Sequence, residues 1–79
     1  MPFSVNDRVL HGLLALDDHA LRRVLAALSQ IEADPVGSSC AAAYDRRNRL
    51  VYAALIDRYW LYYSLSRSGR VHFVEMLAS

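Results

Sequence analysis

Pro35 divides the sequence into two halves with different hydrophobic periods. Before it, apolar residues recur every three or four positions, as on one face of an α-helix. After it, Tyr, Trp, Val, Ile and Phe gather in runs of strand length separated by short polar turns. Proline disfavours helical geometry in the preceding residue and has no backbone N–H, so a helix must end near Asp34. The sequence therefore predicts an α+β fold, and its 79 residues suit a single domain, residues 1–79.

The first half predicts one short strand and two helices. Residues 3–5 could form the strand, and Ser4 with Asp7 three residues later resembles a capping box at the start of the first helix. Asp17 and Asp18 offer an N-cap and favourable first-turn charge for the second helix. Only two or three residues join the helices, so they should lie antiparallel. The apolar face of the second helix comprises Leu21, Val24, Leu25, Leu28 and Ile31.

The second half predicts a three- to four-stranded antiparallel sheet. Its strand-length runs are residues 50–56, 59–66 and 71–77, joined by short turns that make neighbours antiparallel. Residues 40–43 fit either a fourth short strand or a helical turn, and the strand is favoured. Along the second run, alternation places Leu61 with Tyr63 toward the helices, and Trp60 with Tyr62 outward or toward a partner.

Positive charge is concentrated in the second half. Residues 1–39 hold three Arg and five acidic residues, a net charge of −2, whereas residues 40–79 hold six Arg and three acidic residues, a net charge of +3. All nine basic residues are Arg, which binds phosphate bidentately and stacks on bases. The absence of Lys fits either a nucleic-acid surface or the codon bias of an Ala- and Leu-rich genome.

The order of short strand, helix pair ending in Asp-Pro, and antiparallel strands resembles the RelE/ParE toxins of toxin–antitoxin modules. Residues 3–16 resemble the family's opening strand and first helix, residues 21–35 its second helix, and residues 57–65 its characteristic hairpin. In that hairpin the family has a Gly-Asp-Tyr-Arg-like turn, two apolar residues and a Tyr. Tyr59 and Tyr63 fit this spacing, but Trp60 stands where most members have Arg.

The resemblance implies the toxin component of a type II module, inhibiting translation by ribosome-dependent cleavage of mRNA. Such a toxin would be a metal-independent endoribonuclease without a cofactor, neutralised by a cognate antitoxin protein. The alternatives are a ParE-like, non-nucleolytic inhibitor of DNA gyrase, or a catalytically inactive protein-binding module of the same fold. Family members that cleave RNA place an Arg or a Tyr/His near the carboxyl end, and residues 76–79 include neither. That difference favours the alternatives.

Candidate residues for RNA cleavage lie in the second half. His72 could transfer a proton, and it lies beside Arg70, although a histidine facing a helix or solvent explains the pattern as well. Three Arg within residues 46–49 fit either an anion contact or an ordinary solvated turn. The candidate catalytic residues are His72, Arg58 and Arg70. The candidate nucleic-acid or anion contacts are Arg46, Arg47, Arg49 and Arg67.

Three aromatic residues are candidates for contact with a partner. Trp60, Tyr62 and Tyr52 could form a platform on which bases stack, an interface with a protein, or ordinary sheet packing. The expected partners are the antitoxin and either the ribosome with its mRNA or DNA gyrase, in a homodimer or a toxin–antitoxin hetero-oligomer. No metal site is expected, because the three His residues have no ligand-like spacing to carboxylates or to Cys40.

The amino-terminal residues 1–7 have neither a basic segment nor an apolar segment typical of secretory signals. No apolar run approaches the roughly 18 residues that a membrane span needs. The expected location is therefore the cytoplasm, without a membrane partner.

Overall fold

The computed structural model describes residues 3–78, and it confirms the α+β prediction. Met1, Pro2 and Ser79 lie outside the described residues, so the structure describes only part of the segments 1–7 and 76–79 that the sequence predictions concern. The elements are β1 (Ser4–Val5), α1 (Asp7–Leu14), α2 (Asp18–Ala33), β2 (Ala41–Tyr44), β3 (Leu50–Ile56), β4 (Tyr59–Leu65) and β5 (Val71–Ala78). Within residues 3–78, no helix is long and apolar enough to cross a membrane.

The strands form one mixed sheet in the order β1-β5-β4-β3-β2. Strands β2, β3, β4 and β5 pair with one another in antiparallel fashion, as predicted for chain segments joined by short turns. The short β1 adds a fifth strand, parallel to β5, with Ser4 opposite His72 and Val5 opposite Phe73. Sequence periodicity predicted this strand but not its partner, because nearly the whole chain separates the two strands.

The N-caps of the helices are Asn6 and Asp17. The Asn6 Oδ1 accepts a hydrogen bond from the Val9 N–H at 3.0 Å, and the Asp17 Oδ1 accepts one from the Ala20 N–H at 2.7 Å. The predicted capping role of Ser4 is wrong, because Ser4 pairs with β5 before the helix begins at Asp7, and its hydroxyl contacts His72 instead of a helix N–H group. Asp17 caps α2 as predicted, and that helix ends at Ala33, immediately before Asp34.

The helices cover one face of the sheet, and the core lies between these two layers. Tyr63 lies in this core with no exposed surface, and its O–H donates to the Pro35 carbonyl oxygen at 2.6 Å. Burial raises the pKa of Tyr63 to about 12. One expected core residue, Leu25, is 41% exposed at the edge of the layer. The completely or almost completely buried side chains are Val9, Val24, Leu28, Ile31, Ala54, Leu61, Tyr63, Val71 and Phe73.

The opposite face of the sheet, here called the open face, is interrupted by a β-bulge in β5. Tyr62 pairs with Glu75 and Tyr63 pairs with Phe73, so Val74 has no paired residue in β4. The extra residue reverses the alternation of side chains beyond it. Glu75 therefore lies on the open face, and Met76 packs toward the core instead.

Gly12 accommodates Met76 on the helical side. A Cβ atom at Gly12 would lie 2.6 Å from the terminal methyl carbon of Met76. A glycine in mid-helix costs about 1 kcal/mol relative to alanine. Here it allows α1 to approach β5 closely.

Candidate functional site

Two hairpin turns, residues 45–49 between β2 and β3 and residues 66–70 between β4 and β5, lie at the same end of the sheet. They hold five Arg and one acidic residue, Asp45. We call these two turns the basic end. All four predicted anion contacts, Arg46, Arg47, Arg49 and Arg67, lie there together with Arg70.

The first of these turns is organised by Asp45. Its Oδ1 accepts hydrogen bonds from the backbone N–H groups of Arg47 at 2.8 Å and Arg49 at 2.9 Å. The Arg49 backbone bond is the main cause of a lowered pKa for Asp45. The Arg49 Nε also lies 3.3 Å from the Asp45 Oδ2, so one positive charge is balanced locally. Arg46 and Arg47 form no ion pair within residues 3–78.

The second turn is closed by serine hydroxyls. The Ser66 Oγ accepts the Arg70 backbone N–H at 3.0 Å and lies 2.9 Å from the Ser68 Oγ. Gly69 adopts φ +83°, a left-handed conformation that favours glycine. These contacts fix the backbone of the turn, while Arg67 and Arg70 are exposed.

His72 lies next to the basic end, on β5 between Ser4 of β1 and Ser64 of β4. Its Nδ1 is 2.5 Å from the Ser4 Oγ, and the side chain is half-buried. A depression of about 440 Å³ lies beside it. This depression is lined by Arg49, Leu50, Tyr52, Ser64, Leu65, Ser66 and His72. The depression thus combines a histidine, hydroxyl groups and the Arg49 guanidinium group, which can bind a phosphate and move a proton.

Arg58 is not part of this arrangement. It lies in the β3–β4 turn at the other end of the sheet, near Asp17 and Arg23. The seven residues of β4, at about 3.3 Å each, separate the two ends by roughly 20 Å. The grouping of Arg58 with His72 and Arg70 is therefore corrected. Strand β4 runs the length of the sheet between the turn that holds Arg58 and the turn that holds Arg70, so the two turns lie at opposite ends.

Tyr52 also lies apart from the other predicted aromatic contacts. Because Ala53 pairs with Tyr62, Tyr52 lies on the helical face, where its ring stacks on Tyr63 with centroids 5.7 Å apart. The predicted platform of three rings is therefore not formed. Strand register decides this point, and alternation along a single strand does not fix register.

Trp60 and Tyr62 do share the open face, where they border an apolar groove of about 390 Å³. Small residues of β2 and β3 form most of its remaining lining: Ala41, Ala42, Ala43, Val51 and Ala53, with Tyr44 and Asp45 at one end. β2 is an edge strand, and all four of its residues are exposed.

Glu75 is a candidate that the sequence pattern did not identify. It lines a third depression, of about 260 Å³, with Arg49, Ser64 and Tyr62 among its neighbours. Its Oε1 is 3.8 Å from the Arg8 Nη1. Strict alternation would place Glu75 with Val71 and Phe73 in the core. A carboxylate in that position was a sequence signal for the bulge.

Among residues 3–78, no group of three or more His, Cys, Asp or Glu side chains could hold a metal ion. No protein-family model, curated protein or solved structure matches the chain. The likeness to RelE/ParE toxins therefore stays a prediction.

Proposed function

We propose that this chain is the toxin of a toxin–antitoxin module of the RelE type, which acts in the cytoplasm by cleaving mRNA on the ribosome. The observation that carries the proposal is the basic end, which holds five Arg and one Asp and whose Arg49 lines the same depression as His72. Clustered guanidinium groups suit the phosphates of an RNA strand. The order of elements seen in the sequence supports the same assignment.

Cleavage at a ribose 2′-hydroxyl needs a proton acceptor, a proton donor and cations that stabilise the charged phosphorane. His72 supplies a titratable group, and Arg49 lines the same depression. This chemistry needs neither a metal ion nor a cofactor, so the proposed activity is that of a metal-independent endoribonuclease.

The proposed antitoxin contact is the groove bordered by Trp60 and Tyr62. An aromatic pair beside small apolar residues is typical of the buried centre of protein interfaces. A partner bound there would cover the open face next to the basic end. It would thus restrict access of RNA to His72.

The test is induced expression of the chain in a bacterial host, with growth and bulk mRNA integrity followed together. We expect growth arrest with cleaved mRNA. The double variant Arg46→Ala/Arg47→Ala should relieve the arrest, because it removes two cations from the basic end. The control Arg22→Ala/Arg58→Ala removes the same charge from exposed positions elsewhere and should remain toxic.

Two other outcomes would contradict this mechanism. Growth arrest with intact mRNA would indicate the gyrase alternative, and DNA supercoiling in the arrested cells would then be measured. Normal growth at matched protein levels would indicate a catalytically inactive binding module. The groove and the presence of Trp60 at a position where the family has Arg favour that second candidate.

A further inference from the structure

The outer edge of β2 carries backbone groups that face away from the sheet. β2 is the last strand in the sheet order and pairs with β3 alone within residues 3–78. The Asp45 N–H donates to the Arg49 carbonyl oxygen at 2.9 Å, so the backbone groups of Asp45 face β3. Because alternate residues of a strand direct these groups to opposite sides, those of Ala43 also face β3. Those of Ala42 and Tyr44 point outward.

The side chains along β2 are small except at one end. Three alanines are followed by Tyr44, which is 69% exposed. Ala42 lies opposite Tyr52 of β3, so Ala42 and Tyr44 are on the helical face. A strand added at this edge therefore packs best if it offers a small residue opposite Tyr44 and a large residue opposite Ala42.

We propose that the partner is a second copy of this chain, whose β2 pairs with this β2 in antiparallel orientation about a two-fold axis at Ala43. In this register Ala42 of each copy pairs with Tyr44 of the other, and each pair exchanges two backbone hydrogen bonds. β2 thus offers the large and small residues that its own edge requires, as a symmetric contact between identical surfaces needs.

Other registers of the two strands fit less well. A shift by one residue sets outward-facing backbone groups against groups that already bond to β3. A shift by two residues pairs Tyr44 either with Tyr44 of the other copy or with Cys40, which lies before the strand. The register centred on Ala43 alone pairs both outward-facing residues of each copy with each other.

The charge distribution favours the same orientation. Antiparallel pairing places the two basic ends at opposite ends of the joined sheet, whereas parallel pairing would set them side by side. In the register centred on Ala43, Arg46 of one copy lies opposite Cys40 of the other. Arg46 and Arg47 are then next to residues 34–40 of the other copy, where Asp34 is the only charged residue. Like charges are separated, and cations lie on the side of a carboxylate.

The contact is small, so the dimer should be weak and reversible. Each copy contributes a four-residue strand, and interfaces that bury less than about 1,200 Å² are typical of transient complexes. Because the strands pair in the plane of the sheet, the dimer leaves the open face uncovered. The proposal goes beyond the proposed function and does not depend on it.

Disulfide formation at the axis tests the register. The two Ala43 Cα atoms would lie about 4.5 Å apart, within the range of about 4.4–6.8 Å found for disulfides. The double variant Ala43→Cys/Cys40→Ser should therefore form a disulfide-linked dimer under mild oxidation. The unmodified chain is the control, because its only cysteine, Cys40, would lie roughly 20 Å from Cys40 of the other copy. Equal rates of crosslinking in both would overturn the register.

Charges at the axis test the contact itself. Ala43→Glu and Ala43→Lys each place like charges opposite one another in the dimer. In sedimentation equilibrium, the mass of the unmodified chain should rise with concentration from 8.9 kDa toward twice that value, whereas each variant alone should stay at 8.9 kDa. An equal mixture of the two variants should associate again, because opposite charges then meet. This rescue also shows that both variants are folded.

Two results would overturn the dimer. One is a constant mass of 8.9 kDa for the unmodified chain up to roughly 1 mM. The other is association that both Ala43 variants leave unchanged, which would place the contact elsewhere on the molecule. Both measurements use the purified chain without RNA, so failure of the dimer and failure of the proposed function are distinguishable.

Discussion

Tyr63 brings a hydroxyl group into the core and satisfies it with a backbone acceptor in the loop after α2. The 2.6 Å bond to the Pro35 carbonyl oxygen ties the sheet to the point where the chain leaves the helical layer. Ring contacts with Tyr52 and Phe73 hold Tyr63 from two sides. A buried phenol of this kind couples folding to pH because its ionised form is poorly solvated.

We predict that Tyr63→Phe removes a specific loss of stability at high pH. The pKa of Tyr63 is raised from 10.0 to about 12, so its stabilising contribution is complete below pH 10. That contribution decreases as pH rises from 10 toward 12, because the unfolded chain releases the proton first. Urea unfolding between pH 8 and 11 should show a steeper decline for the unmodified chain than for Tyr63→Phe. Parallel declines would contradict the prediction.

Other individual residues show where local sequence rules reached their limit. Both Ser4 and Asn6 are good N-caps by residue type, and the choice between them depends on pairing with a strand 68 residues later. Asn6 is the N-cap, and its side-chain amide also donates a hydrogen bond to the Val74 carbonyl oxygen at 2.6 Å. Local patterns cannot contain that information.

At the scale of elements, the centre and the edge of the apolar face of α2 contribute differently to stability. Leu28 is completely buried, whereas Leu25 is 41% exposed, although both fit the apolar face predicted from spacing. The face is narrower than its sequence pattern because only one side of the helix meets the sheet.

We therefore predict unequal costs for truncating these two leucines. Leu28→Ala should lower the free energy of unfolding by about 2–5 kcal/mol, because it leaves a cavity in the core. Leu25→Ala should cost about 1 kcal/mol or less, because its side chain already contacts solvent. Urea unfolding at equal m-values measures both changes. Equal losses would show that the edge of the helical layer is as tightly packed as its centre.

The strand boundaries and the antiparallel pairing of consecutive strands were predictable, whereas the strand register and the partner of β1 were not. The predicted runs 50–56, 59–66 and 71–77 correspond closely to β3, β4 and β5. Their periodicity and short turns are local properties. The bulge at Val74 depends on the register within the β4–β5 hairpin, and it places Glu75 on the open face. The parallel pairing of β1 depends on a segment 68 residues away, and it places Ser4 in contact with His72.

At the scale of the whole molecule, topology converts a modest net charge into a strongly asymmetric surface. The net charge of the chain is only +1, yet five of its nine Arg lie in the two turns at one end of a molecule 34 Å long. The division of charge along the sequence predicted a basic second half. It could not predict that Arg58 lies at the other end, since that depends on which turns the sheet brings together.

We predict that binding of single-stranded RNA to this protein weakens steeply with salt. Each Arg that contacts a phosphate adds about −0.7 to the slope of log K against log salt concentration. The Arg46→Ala/Arg47→Ala variant should therefore have a slope about 1.4 smaller in magnitude. The Arg22→Ala/Arg58→Ala variant should match the unmodified chain. Fluorescence anisotropy over a salt series measures these slopes, and equal changes in both variants would contradict a localised contact.

The exposed outer strand β2 has a consequence for handling the protein at high concentration. Natural sheets protect their outer strands with charged residues, Pro or bulges, and Ala41–Tyr44 has none of these. Its unpaired backbone groups can template the strand of another molecule, so aggregation should begin at this edge. In NMR spectra, the amide signals of Ala41–Tyr44 would broaden first as concentration rises, well before those of the core strands.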